Sequence, residues 1–266
     1  MKLKIYQVDA FTDKLFSGNP AAVVRLKEWL SDATLQNIAS ENNLAETAFF
    51  LPSSREGSEM VRYHLRWFTP ENEVDLCGHA TVASAFVLFQ YENLRGDEIS
   101  FESKSGILTV RKSGDLYTLN FPSYTISPDE ATNDVLSAIG KVPVEVFKMK
   151  NDLLLVYHDQ VALQMIKPDF GKLKQCAARA ILVTAPSEEA DFVYRFFAPK
   201  MGIDEDPATG SAQCSLIPYW SARLNKNSLN SIQLSKRKGY LKGELIGNRV
   251  EISGKAVLYM RGEIEV

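Results

Sequence analysis

Three cysteines in 266 residues, scattered at Cys77, Cys176 and Cys214, are too few for a disulfide framework, and none pairs into a C-x-x-C metal or redox motif. No apolar run approaches the roughly 20 residues a membrane-spanning helix needs. The first residues, Met1-Lys2-Leu3-Lys4-Ile5-Tyr6, lack the apolar stretch of a secretory signal. Neither sign of charge prevails: 30 Lys and Arg against 33 Asp and Glu leave a net charge of −3, which argues against a dedicated nucleic-acid binder. The one basic cluster, Lys236-Arg237-Lys238, reads as a solvated hairpin end. P-loop, GxGxxG and GxSxG patterns are absent. A soluble, cytoplasmic protein without nucleic-acid or membrane partners is expected.

What is present is an ordinary globular composition, 45% hydrophobic and 24% charged, at a length that suits one large domain or two of about 130 residues. Residues 3–11 and 21–26 read as strands around a turn at Ser17-Gly18-Asn19-Pro20, and Ser31 caps a helix over 32–42. Strands are predicted over 44–51 and 60–68. The segment 77–91 is apolar on every helical face, which marks a helix enclosed on all sides. Hairpins follow over 99–121. Ser127-Pro128-Asp129-Glu130 has the form of a capping box that starts a helix ending at Gly140. Further strands are expected near 144–149, 153–157, 160–166, 180–184 and 191–198, a short helix near 169–178, and alternating strands over 231–265. Many antiparallel strands and about five helices make an α+β chain, not a doubly wound one.

The stretch Gly202 to Ala212 crowds three acidic residues before Pro207 and then only small ones. Asp206-Pro207 reads as a helix start, with Asp at the N-cap and Pro at the first helical position. Arg66-Trp67-Phe68-Thr69-Pro70 and Arg195-Phe196-Phe197-Ala198-Pro199 match at Arg, Phe and Pro with an offset of 129 (195 minus 66). Each run is followed by an acidic residue, a glycine-bearing turn and an apolar helix. Two copies of one fold are therefore expected, 1–123 and 124–266, with the last strand free to return to the first copy. Two such copies would bring two helix starts to one cleft.

Three residues stand out chemically. His79 lies near the start of the first enclosed helix, where the helix dipole disfavours an imidazolium. Glu46 sits among Leu44-Ala45 and Thr47-Ala48-Phe49-Phe50, apolar company in which a carboxyl group takes and returns a proton near neutrality; the bland alternative is an edge glutamate facing water. Cys77, two residues from His79, offers a rival thiol mechanism, though its counterpart in the repeat is Pro207, which has no proton to move. Asp204, Glu205 and Asp206 with His79 match no metal-site spacing, so no metal is expected.

Gly18-Asn19-Pro20, Leu44 to Phe49, Arg66 to Pro70, Asp75 to Thr81 and Gly202 to Ala212 together resemble the PhzF-like phenazine-biosynthesis isomerase family. The resemblance implies the diaminopimelate epimerase-like fold: two pseudo-symmetric halves, each a β-barrel-like sheet around a central helix. It implies a cofactor-independent isomerase acting on a small carboxylated metabolite, with Glu46 as proton carrier. His79 and Asp206 would complete the catalytic set, and Gly78, Gly210, Ser211 and Asn19 would bind substrate. The best-known member moves a double bond in a dihydro-hydroxyanthranilate. A homodimer is a further implication. The alternatives are a Cys77-dependent epimerase or racemase and a non-catalytic metabolite-binding protein on the same scaffold.

Overall fold

The structure, a computed structural model, describes residues 1–53, 62–92, 94–149 and 151–266. The chain forms two units, Met1–Asn120 with Ser253–Val266, and Phe121–Ile252. The junction thus falls three residues before the division at 123/124.

In the first unit the strands are β1 (Lys2–Ala10), β2 (Asn19–Arg25), β3 (Glu46–Pro52), β4 (Arg62–Phe68), β5 (Glu73–Val74), β6 (Glu98–Ser103), β7 (Gly106–Ser113) and β8 (Leu116–Pro122). Residues 60 and 61 of the expected strand over 60–68 lie outside the described residues. β1–β2 is antiparallel, β2–β3 parallel, β3–β4 and β4–β5 antiparallel, β4–β6 parallel, and β6–β7–β8 antiparallel. Helix α1 (Asp32–Asn42) begins at its sequence-predicted cap, with the Ser31 hydroxyl accepting the Thr34 N–H. Helix α2 (Gly78–Tyr91) is buried without a break from His79 to Leu88, as its all-round apolar pattern demands.

The second unit repeats this pattern. Its strands are β9 (Ser127–Pro128), β10 (Glu145–Met149), β11 (Asp152–Val156), β12 (Ile181–Pro186), β13 (Phe192–Ala198), β14 (Ile203–Glu205), β15 (Ser228–Gln233), β16 (Gly239–Ile246) and β17 (Arg249–Gly254). β10–β11 is antiparallel, β11–β12 parallel, β12–β13 and β13–β14 antiparallel, β13–β15 parallel and β15–β16 antiparallel. That is the succession of β1 to β7. The last strand, β18 (Ala256–Glu265), pairs antiparallel with β1 in the first unit. Helix α6 (Gln213–Leu224) takes the place of α2 and carries Pro218 inside it. Pro218 has no N–H for the carbonyl four residues back, and the Cys214 oxygen accepts the Tyr124 N–H at 2.8 Å instead.

Three local expectations are corrected. Residues 160–166 are not a strand: the Asp159 carboxylate accepts the Ala162 N–H and starts helix α4 (Gln160–Gln164), and Ala162, Leu163 and Ile166 turn inward at helical spacing. Ser127-Pro128 does not open a helix, because it pairs with β10; α3 (Asn133–Ile139) starts at Thr132 and ends at Gly140 in the left-handed conformation. Asp206 is not a helix cap. Its N–H bonds to the Phe196 oxygen of β13, and α6 starts seven residues later, after a 3-10 turn over Gly210–Ala212. Sheet pairing outcompeted the local signal in the last two cases. The short helix expected near 169–178 is α5 (Phe170–Leu173), capped by Asp169.

Candidate active site

Glu46 opens β3 opposite Ala21 of β2, and His79 lies in the first turn of α2, which packs under these strands. The two side chains meet: His79 Nε2 is 3.0 Å from Glu46 Oε2, with only 7% and 13% of the side chains exposed. Glu46 therefore does not face water. The contact is short but off the axis of a ring N–H, and Oε2 is buried with no aligned hydrogen-bond donor. On the other edge of the ring, Asn19 Nδ2 lies 3.2 Å from His79 Nδ1, and Asn19 is fully buried. Cys77 Sγ lies 3.5 Å from the same Nδ1.

Burial dominates the Cys77 thiol and pushes it up to about 11, the Glu46 charge adding to the effect and His79 opposing it. At neutral pH Cys77 is thus a protonated thiol and a poor nucleophile. For His79, burial works against the imidazolium, while its neighbours Cys77 and Glu46 together work for it more strongly, so its pKa moves up. Glu46, Cys77 and His79 present donor atoms within 4.8 Å of one another, the group among the described residues compact enough for a cation. A cation there would have to displace the proton of a thiol that burial makes hard to ionise.

Gly78 is the first residue of α2, and no acidic side chain occupies that first turn. A Cβ built on Gly78 would meet only Leu119 Cδ1, at 3.8 Å, an ordinary contact. Packing within the unit does not require a glycine there.

In the second unit, the Thr209 hydroxyl donates to Asp206 Oδ2. Gln233, fully buried at the end of β15, accepts the Thr209 N–H at 2.6 Å through Oε1 and donates to the Asp206 carbonyl through Nε2. The Ser235 hydroxyl donates to the Pro207 carbonyl at 2.7 Å. These polar residues pin the loop that carries Asp206 and were not singled out from the sequence. The available signal was the alternation in β15, which turns Ser231 and Gln233, both polar, to one buried face. Gly210 is buried and Ser211 exposed. Glu205 is taken by Arg195, and Asp204 is exposed, so the acidic cluster is divided among separate partners.

Register relates the two units residue by residue. Thr47 pairs with Phe68 and Ile181 with Phe197, so Glu46 corresponds to Ala180. The repeat likewise sets Thr209 against His79 and Pro207 against Cys77.

A duplicated α+β chain, each half winding the same strand succession beside one enclosed helix, is the fold of the proline racemase and diaminopimelate epimerase class. A hydroxyproline epimerase from Agrobacterium vitis shares it at a TM-score of 0.63 and 10% identity, over 99% of this chain and 92% of that one. The sequence model of the phenazine biosynthesis-like proteins matches residues 8–262, and the chain belongs to that PhzC–PhzF family. It is 47% identical over 266 residues to an uncharacterized isomerase of Pseudomonas aeruginosa, covering both chains fully. It is 39% identical over 286 residues to phenazine biosynthesis-like domain-containing protein 1 of Mus musculus, covering 99% of each. A PhzF-family crystal structure from Enterococcus faecalis superposes with a TM-score of 0.94 at 44% identity, covering 100% of both chains. No helix among the described residues is long and apolar enough to cross a membrane.

Proposed function

We propose that this chain is an isomerase that moves a proton between two positions of a small carboxylated metabolite, with Glu46 as the proton carrier and no cofactor. The observation that supports this most directly is the half-buried Glu46 carboxylate: Oε2 lies 3.0 Å from the imidazole yet has no aligned donor. A carboxylate oxygen that the protein does not saturate can accept a proton from a carbon acid and hand it back. His79 is within reach of the same proton and of polar groups on a substrate. The start of α2 at Gly78, where packing leaves room, offers backbone N–H groups to a carboxylate or a developing enolate. Asp206, Gly210 and Ser211 are assigned the substrate-holding roles that the family resemblance implies for them. The high pKa of the Cys77 thiol argues against a thiolate racemase.

Solvent deuterium entering product tests the reading, with small amino and hydroxy acids first screened by ligand-induced stabilisation. A general base contributes about 10²–10⁴-fold, so Glu46→Gln is expected to lose at least about two orders of magnitude in exchange with its melting temperature unchanged. Full exchange in Glu46→Gln removes Glu46 from the role. Binding without exchange for every ligand favours the metabolite-binding alternative.

A further inference from the structure

The His79 ring has two nitrogens with different neighbours, and which of them carries the proton decides what Glu46 and a substrate meet. Nδ1 faces Asn19 Nδ2 at 3.2 Å, while the Cys77 sulfur lies 3.5 Å from Nδ1 and 3.9 Å from Nε2 and so is in line with neither. A side-chain amide nitrogen can only donate. That donor leaves Nδ1 as the acceptor, so the proton of the neutral ring sits on Nε2, beside Glu46. A second proton on Nδ1 would point at the Asn19 N–H, which opposes the pull of the neighbouring negative charge towards an imidazolium.

Asn19 reaches this position through its backbone. It pairs with Ala10 at the start of β2, and Gly18 before it has φ +65. A Cβ on Gly18 would stand 2.2 Å from the Ala10 oxygen and 2.7 Å from Thr12 Cγ2, so the turn admits glycine and little else. The loop before the turn is tied down by the Asp9 carboxylate, which accepts the Phe16 N–H at 3.1 Å. Asn19 is fully enclosed, and its amide is aimed at the histidine.

We infer that Asn19 is a positioning residue that fixes the Nε2–H tautomer of His79, so that the protonated nitrogen lies on the Glu46 side of the ring, 3.0 Å from Oε2 though not aligned with it, and the acceptor faces Asn19. The consequence for proton transfer rests on the proposed role of Glu46; the tautomer does not. The Gly18-Asn19-Pro20 run then has a divided purpose. Glycine makes the turn, and asparagine sets the histidine.

Heteronuclear NMR of the imidazole nitrogens in the full chain tests the tautomer, with His64 and His158 as internal references. With the ring neutral, at the alkaline end of its titration, the wild-type protein is expected to show a pyridine-like Nδ1 and a pyrrole-like Nε2 for His79; the reverse pattern there overturns the inference. Asn19→Asp replaces the donor by an acceptor. It is expected to move the proton to Nδ1 or to give an imidazolium, and an unchanged His79 spectrum also overturns the inference. Should Asn19→Asp not fold, the wild-type spectrum decides alone. Deuterium exchange in the same variant is expected to fall at least about tenfold, with KM changed less. A swapped tautomer with undiminished exchange leaves the positioning inference standing and counts against the roles given to Glu46 and His79.

Discussion

The two halves of this chain repeat one scaffold but not one chemistry. Arg66 grips Glu73 through Nε and Nη2 at 2.8 and 2.9 Å and lies over the Phe68 ring at 5.1 Å. Arg195 grips Glu205 at 2.8 and 3.0 Å and lies over Phe197 at 4.8 Å. Both pairs lock a short strand to its neighbour, β5 to β4 in the first half and β14 to β13 in the second. At the head of the enclosed helix the likeness ends: Glu46, Cys77 and His79 in the first half correspond to Ala180, Pro207 and Thr209 in the second. The second half uses its helix approach to hold a loop, through Thr209, Gln233 and Ser235. Features that serve folding are duplicated because both halves have the same sheet to build. The titratable trio is one-sided, as the single proton carrier proposed for this chain requires.

The largest effect should come from the one-sided part. Glu46→Gln is expected to lower turnover by about 10²–10⁴-fold. Placing the same carboxyl at the equivalent position of the other half, by Ala180→Glu, should instead destabilise the fold. Ala180 is 2% exposed, and an unpartnered buried carboxyl is expected to cost at least about 3 kcal/mol in urea denaturation. Unchanged stability would break the contrast between the halves.

Next come the duplicated pairs. Arg66→Lys and Arg195→Lys each lose a bidentate grip and a stacked guanidinium, and each should cost about 1–2 kcal/mol. Sharply unequal losses would show that the pairs are not equivalent. Hydrogen bonds from Arg66 outweigh burial and hold the Glu73 carboxyl at about 2, against an ordinary value of 4.5. A lowered carboxyl stabilises the fold above its ordinary value, and that stability is lost as pH falls. The stability difference between wild type and Glu73→Gln should therefore be full above about pH 5 and shrink as pH falls from 4.5 through about 2.

Smaller effects sharpen the comparison at the helix heads. Gly78→Ala should leave the melting temperature unchanged or raise it slightly, since alanine is favoured over glycine in a helix by up to about 1 kcal/mol and packing leaves room. A rise in KM in that variant would point to a ligand at this turn; an unchanged KM would remove it from the site. Cys77→Ala is expected to turn over like the wild type, because the thiol is protonated; abolished turnover would restore the thiol mechanism.

Much of this was legible in order along the chain. Ser31 and Gly140 each form the cap their type suggests, and the all-round apolar run after Cys77 is the enclosed helix. The paired Arg-x-Phe-x-Pro runs marked the repeat. Where sequence signals misled, as at Ser127-Pro128 and Asp206-Pro207, a backbone group found a sheet partner far away in sequence.

Composition, hydrophobic period and the repeated runs determined the class of fold and the enclosed helix, since these depend on which residues avoid water at which spacing. Only the tertiary structure decided that Glu46 faces an imidazole, that Asn19 addresses the other edge of that ring, and that Gln233 holds the Asp206 loop. Hydrogen bonds and charge pairing act over about 3 Å, and residues 27 or 60 positions apart come within that distance only when the strands and helices have packed.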